Sequence, residues 1–103
     1  MMKEIDGIYG NWSLIPTHMI GGMSRYLSRG ILSGGFLTAM LCNDLRDACF
    51  RADDQNRLRL SDYVNFLYNY APSESWGSPE KVDAWIDSGG LYGKVKEDAD
   101  TSA

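Results

Sequence analysis

The sequence predicts an all-α fold: a compact bundle of about four helices, with an irregular N-terminal arm and a disordered acidic C-terminal tail. Apolar residues recur at steps of three and four along most of the chain, as on one face of a helix. Residues that begin or end helices bound each such stretch. The 103 residues, 44% of them hydrophobic, suffice for one domain. We divide it into an arm (1–15), a helical domain (16–90) and a flexible tail (91–103).

The central helix is predicted to run from Ser33 to Asp54. Two glycines follow Ser33 where the helix would start, and two aspartates stand where it would stop. Its apolar residues are spaced four, four, three and four apart and therefore share one face: Leu37, Leu41, Leu45, Ala48 and Ala52.

Three further helices complete the predicted bundle, over residues 16–30, 55–70 and 78–90. Each has a recognisable boundary: proline at the start of the first, proline after the end of the second, and a Ser-Pro-Glu start with a Gly-Gly stop for the third. Gly21 and Gly22 stand in the middle of the first helix, where we expect another backbone to approach closely.

Composition excludes several classes of protein. The formal charge is −4, but three acids lie in the last seven residues, which leaves 11 acidic and 10 basic residues before them. Direct nucleic-acid binding is therefore not expected, since it needs a basic surplus. The first ten residues lack the pattern of a secretory signal, and no apolar run approaches 18 residues, so we expect a cytoplasmic protein without a membrane span.

The sequence shows no catalytic or metal-binding motif. His18 is the only histidine, and no cysteine or histidine pair has metal-ligand spacing. Asp44 and Asp47 could share a metal or act as an acid/base pair, but Asp47 and Arg51 are spaced for an ion pair on one helix face. We therefore predict no enzyme, no metal and no cofactor.

An anion site is predicted where the central helix begins. Ser33, Gly34 and Gly35 could present backbone N–H groups to a phosphate, and the helix dipole would assist. Arg25 and Arg29 stand one turn apart at the end of the preceding helix. Both would lie near this helix start if the connection is tight.

A second group of residues could recognise a nucleobase or a protein partner. Tyr68, Asn69 and Trp76 offer aromatic rings and an amide, which can stack on a base and read its edge; the alternative is a loop held in place by its aromatic residues. Asn43 and Asp44 complete the predicted ligand-binding set. Phe50, on the polar face of the central helix, is predicted to contact a partner protein together with two neighbouring arginines, Arg46 and Arg51.

Several short motifs resemble those of one protein family. They are Pro16…Met19…Gly22…Tyr26…Gly30, Gly35-Phe36-Leu37, Asn43-Asp44-Leu45, Ala52-Asp53, Tyr68-Asn69-Tyr70-Ala71-Pro72 and Trp76-Gly77-Ser78. With them, residues 15–86 resemble small proteins of tailed bacteriophages and prophages. The resemblance brings no catalytic residues to transfer. It implies an accessory protein in the cytoplasm of a host bacterial cell, and many such proteins counteract antiviral defence.

Three functions remain open from the sequence. The protein could be a homo-oligomer that sequesters a small nucleotide-type immune signal. It could instead dock on a host defence protein complex and block it, as an anti-CRISPR does. It could also be a housekeeping phage factor with a structural or interaction role.

Overall fold

The computed structural model describes residues 2–32 and 34–95, which form a helical domain with a short N-terminal hairpin. The described elements are β1 (Met2–Ile5), β2 (Ile8–Asn11), a 3₁₀ turn (Trp12–Leu14), α1 (Thr17–Arg29), α2 (Gly35–Leu41), α3 (Leu45–Arg51), α4 (Asp54–Leu58), α5 (Leu60–Tyr70), a second 3₁₀ turn (Ser73–Ser75) and α6 (Pro79–Ser88). Residues 90–95 are also helical.

The N-terminal arm is a β-hairpin, so the prediction of an irregular arm is wrong and the fold is mostly, not purely, α-helical. β1 and β2 pair antiparallel, with Ile5 opposite Ile8. Asp6 and Gly7 between them have φ of 51° and 87°. Two consecutive residues at positive φ match the twist of paired strands, and Asp-Gly is a favoured sequence for such a turn.

The predicted central helix is two helices, because Asn43 ends the first and Asp44 starts the second. Asn43 has φ 63°, and the N–H groups of Asn43 and Asp44 donate to the carbonyls of Met40 (3.2 Å) and Ala39 (2.9 Å). This is the Schellman pattern, in which a left-handed residue closes a helix. Asp44 then caps α3 by accepting from the Asp47 N–H at 3.1 Å. The break leaves Leu45, predicted to share the apolar face of the central helix, 67% exposed.

Two more predicted boundaries are wrong. The helix predicted over 55–70 is divided into α4 and α5 at Arg59, whose φ of −116° and ψ of 14° depart from helical values. Residues 91–95, predicted to belong to a flexible tail, continue a helix that begins at residue 90. Residues 96–103, the rest of that predicted tail, lie outside the described residues.

The ends of α1 and α6 are confirmed. Gly30 and Gly89 close these helices in the left-handed conformation, at φ 71° and 81°. Ser78 caps α6 by accepting from the Lys81 N–H. The predicted backbone approach at mid-helix is wrong: a Cβ at Gly22 would contact only the Leu37 side chain among the described residues.

Backbones do meet where α1 and α6 end. A Cβ built on Gly90 would lie 2.5 Å from the Gly30 nitrogen and 2.6 Å from the Arg29 nitrogen. Nearby, the Trp85 indole donates to the Tyr26 carbonyl at 3.1 Å. These contacts join the two helices directly.

The core includes buried aromatic residues from the first 3₁₀ turn, α1, α2, α5 and α6. Trp12 is fully buried, its ring centroid lies 4.6 Å from that of Phe66, and its indole donates to the Ile8 carbonyl at 3.0 Å. Phe36 of α2 packs edge-on against Tyr63 of α5, with centroids 5.3 Å apart. The core thereby fixes α2 in position relative to α5.

Asn43→Gly is expected to leave the free energy of unfolding unchanged or slightly raise it, whereas Asn43→Ala should lower it by about 1–2 kcal/mol. Glycine adopts the left-handed conformation without strain, but the Cβ of alanine opposes it. Urea unfolding followed by circular dichroism measures both. Asn65→Ala, on the exposed face of α5, is the matched control. An Asn43→Ala variant as stable as this control would contradict the left-handed conformation of Asn43 at the end of α2.

Candidate functional site

A cavity of about 480 Å³ lies between the C-terminal end of α2, the side of α5 and the loop before α6. We term it the aromatic cavity. It brings together four predicted ligand-binding residues, Asn43, Asp44, Tyr68 and Trp76, and adds Lys81. Its volume falls within the range typical of small-molecule sites.

Two hydrogen bonds hold the loop on either side of Trp76. The Tyr26 hydroxyl donates to the Ser75 carbonyl at 2.6 Å, and the Gly77 N–H donates to the Leu41 carbonyl at 2.7 Å. Burial raises the pKa of the Tyr26 hydroxyl, so this group remains protonated and able to donate. The loop that carries Trp76 is therefore fixed to α1 and α2 before any ligand arrives.

The polar groups of the aromatic cavity suit hydrogen bonding and charge pairing. The Lys81 ammonium donates to the Ser73 carbonyl at 3.3 Å, and no carboxylate among the described residues pairs with it. Asn43, the left-handed residue that ends α2, is among the residues that line the cavity. Tyr68 is 78% exposed, so its ring is available for stacking. The lining of the cavity thus combines aromatic rings and an ammonium group with the Asp44 carboxylate that caps α3.

A second cavity, of about 390 Å³, lies at the other end of α2. We term it the arginine cavity. It brings together Arg25, Gly34 and Gly35 of the predicted anion site, and it adds Arg51 and Asn56. Arg51, predicted to contact a partner protein, is paired here with Asp47 at 2.9 Å.

The remaining predicted residues lie elsewhere. Arg29 lines neither cavity, because its guanidinium pairs with Asp6 at 3.2 Å. Asn69 donates to Asn65 one turn earlier and also lines neither. Ser33 lies outside the described residues.

Phe50 is 77% exposed and shares a shallow depression with Arg46, Asp44 and Asp47. Two of the predicted partner-binding residues, Phe50 and Arg46, are thus neighbours on the surface of α3.

Lys81 and Asn56 were not identified from the sequence. Lys81 stands three residues after the cap of α6, a position that gives no indication of a cavity. Asn56 follows the Asp53 cap by three residues and reads as part of a polar helix start, yet the structure buries it to 3% exposure.

Cys42 differs from an activated nucleophile in its surroundings. Burial, and after it the nearby Asp83 carboxylate, raises the pKa of the Cys42 thiol and so disfavours the nucleophilic thiolate. Both cysteines are free. No group of three metal-ligating side chains occurs within residues 2–32 and 34–95.

The Asp53 cap makes the stability of the fold vary with pH in the acidic range. The Asn56 N–H donates to its carboxylate at 2.7 Å, and His18 lies 3.0 Å from its other oxygen; these bonds, the Asn56 bond first, lower the pKa of Asp53. Folding thus favours the ionised form of Asp53. Its contribution to the free energy of unfolding is fully present above the ordinary carboxyl pKa, and it is lost as the pH falls through the lowered pKa of the folded state.

We therefore expect the Asp53→Asn variant to lose less stability than the wild type when the pH falls below about 4. Urea unfolding at a series of pH values from 2 to 7 measures this dependence. Asp54→Asn, which removes the adjacent exposed carboxylate, is the control. Equal slopes for wild type and Asp53→Asn would contradict the role of the cap.

Comparison with protein-family models, curated proteins and solved structures gives no match to the chain. Within the described part of the chain, no helix has both the length and the apolar character that crossing a membrane requires.

Proposed function

We propose that this chain is a non-enzymatic binding protein that takes a nucleotide-type ligand in the aromatic cavity. The observation that carries the proposal is the convergence of Tyr68, Trp76, Asn43 and Lys81 on one cavity whose loop is already fixed. Aromatic rings stack on a base, an amide hydrogen-bonds to its edge, and an ammonium pairs with a phosphate. A fixed loop lowers the entropic cost of binding.

The resemblance to small phage proteins supports a biological role for such binding. A phage protein in the host cytoplasm that sequesters a nucleotide-type immune signal would counteract antiviral defence without performing a reaction. A homo-oligomer belongs to this proposal, because a small domain buries a modest fraction of its surface and commonly gains stability by association.

Thermal unfolding with a panel of mononucleotides, cyclic nucleotides and cyclic dinucleotides tests the proposal. A ligand at a hundred times its dissociation constant stabilises the folded state by about 2.7 kcal/mol, which raises the midpoint of a domain this size by several degrees. Native mass spectrometry of protein from infected cells reports oligomeric state and bound mass together. If no nucleotide shifts the midpoint and no mass is carried, the proposal fails.

A second candidate is docking on a host defence protein complex, in the manner of an anti-CRISPR. The exposed Phe50 ring beside Arg46 favours it, because aromatic and arginine side chains are enriched among residues that dominate protein interfaces. Recovery of a defence complex by wild type and Leu58→Ala, but not by Phe50→Ala, would support it. Leu58 is an equally exposed apolar control.

A housekeeping phage role is the third possibility, and phage genetics separates it from the other two. Deletion should then impair phage growth even in a host that lacks defence systems.

A further inference from the structure

We propose that the arginine cavity is a binding site for a phosphate-type oxyanion. This inference rests on side chains outside the aromatic cavity and does not depend on the proposed function. Three groups carry it, the amide of Asn56 and the guanidinium groups of Arg25 and Arg51.

The Asn56 side chain is the first observation. The residue is 97% buried, since its exposure is 3%, and its carbonyl oxygen accepts from the Tyr63 hydroxyl at 2.7 Å. Its amide NH₂ has no hydrogen-bond partner among the described residues. Since no fully buried side-chain nitrogen or oxygen there lacks a partner, this NH₂ retains access to open space. The arginine cavity is the cavity that Asn56 borders.

Because the Asn56 NH₂ reaches the cavity, water can satisfy this donor in the free protein, and an acceptor of a ligand can take the place of that water. The burial of Asn56 and its bond to Tyr63 fix the direction of the amide, so the donor is in place before binding.

The two guanidinium groups make that acceptor anionic. The Arg25 guanidinium has neither a hydrogen bond nor an ion pair among the described residues. Arg51 uses its Nε for Asp47, and its Nη1 lies against Gly35, where a Cβ would be only 2.7 Å away. The absence of a side chain at Gly35 thus leaves the room that the Arg51 guanidinium occupies beside the cavity.

The one carboxylate at the cavity is already engaged. Asp53 accepts from the Asn56 N–H and contacts His18, as described above. Asp47 pairs with Arg51, so the Arg25 guanidinium is the positive charge at the cavity that has no carboxylate partner among the described residues. Donors on α1, α3 and α4 approach from separate elements, and a phosphate offers acceptor oxygens in several directions to meet them.

Titration of the ¹⁵N-labelled full chain with inorganic phosphate tests the site by NMR. We expect saturable shifts of the Asn56 side-chain NH₂ and of the Arg25 and Arg51 Nε–H signals. Arg25→Gln should weaken the phosphate affinity at least about tenfold, since it removes a charge-assisted hydrogen bond. Arg46→Gln, an exposed arginine of α3 outside the cavity, is the matched control and should leave the affinity unchanged.

Two results would overturn the site. If sodium chloride at equal ionic strength reproduces the chemical-shift changes, then those changes arise from charge screening and not from phosphate binding. Alternatively, Arg25→Gln and Arg46→Gln could weaken the affinity equally, which would show attraction to surface charge in general. Tyr68→Ala should leave the phosphate titration unchanged, so the arginine cavity can fail or succeed separately from the aromatic cavity.

Discussion

Alanine at position 90 is expected to lower the free energy of unfolding by at least about 3 kcal/mol. The new Cβ would lie 2.5 Å from the Gly30 nitrogen and 2.6 Å from the Arg29 nitrogen, far inside van der Waals contact. Both neighbours are backbone atoms at the C-terminal end of α1, so no side chain can rotate away. Gly90 also has φ +72°, which adds the strain of a left-handed alanine. Urea unfolding followed by circular dichroism measures the loss.

The variant Gly34→Ala separates the steric clash from the backbone strain as causes of the destabilisation. Gly34 also has a positive φ, of +87°, but a Cβ there would meet nothing within 4 Å among the described residues. Its substitution should therefore carry the conformational strain alone, about 1–2 kcal/mol. If Gly90→Ala is no more destabilising than Gly34→Ala, then the backbones of α1 and α6 do not meet as closely as the structure places them.

Local signals in the sequence predicted the parts of the fold that local chemistry determines. Gly30 ends α1 and the Ser78-Pro79 pair begins α6, because a left-handed glycine and a capping hydroxyl act on neighbouring backbone groups. The Asp6-Gly7 turn is equally local, but the strands beside it have four residues each. Strands of four residues are too short for their alternation of apolar and polar residues to be recognised in the sequence.

The break at Asn43 was missed because the apolar spacing continues across it. Leu37, Leu41 and Leu45 fit one helical stripe, yet Asn43 turns the chain and exposes Leu45. Asn43-Asp44 contains both signals, an asparagine that tolerates the left-handed conformation and an aspartate that caps. The spacing of apolar residues alone does not distinguish one continuous helix from two helices divided at Asn43.

The candidate sites depend on contacts between distant parts of the chain, and this limits what sequence reasoning can predict. The sequence predicts an anion site and a separate aromatic group as parts of one ligand-binding set. The structure divides them between cavities at the two ends of α2, because Gly35 and Phe36 border one cavity and Ala39 and Met40 border the other. Lys81 joins Asn43 only through the packing of α6, which no local pattern specifies.

Loss of the Tyr68 ring is expected to weaken nucleotide binding by roughly 5- to 150-fold. Stacking of a base on an aromatic side chain contributes about 1–3 kcal/mol, which converts to this range. Tyr68 is 78% exposed, so Tyr68→Ala should leave the unfolding midpoint of the free protein nearly unchanged. Isothermal titration calorimetry with the nucleotide identified by thermal unfolding measures the affinity.

The control for Tyr68 is Tyr9, which is 62% exposed on β2 and borders neither cavity. Tyr9→Ala removes a ring of the same size from the surface and should leave the affinity unchanged. An equal loss in both variants would mean that the ligand does not stack in the aromatic cavity. Unchanged affinity in Tyr68→Ala would likewise contradict stacking on this exposed ring.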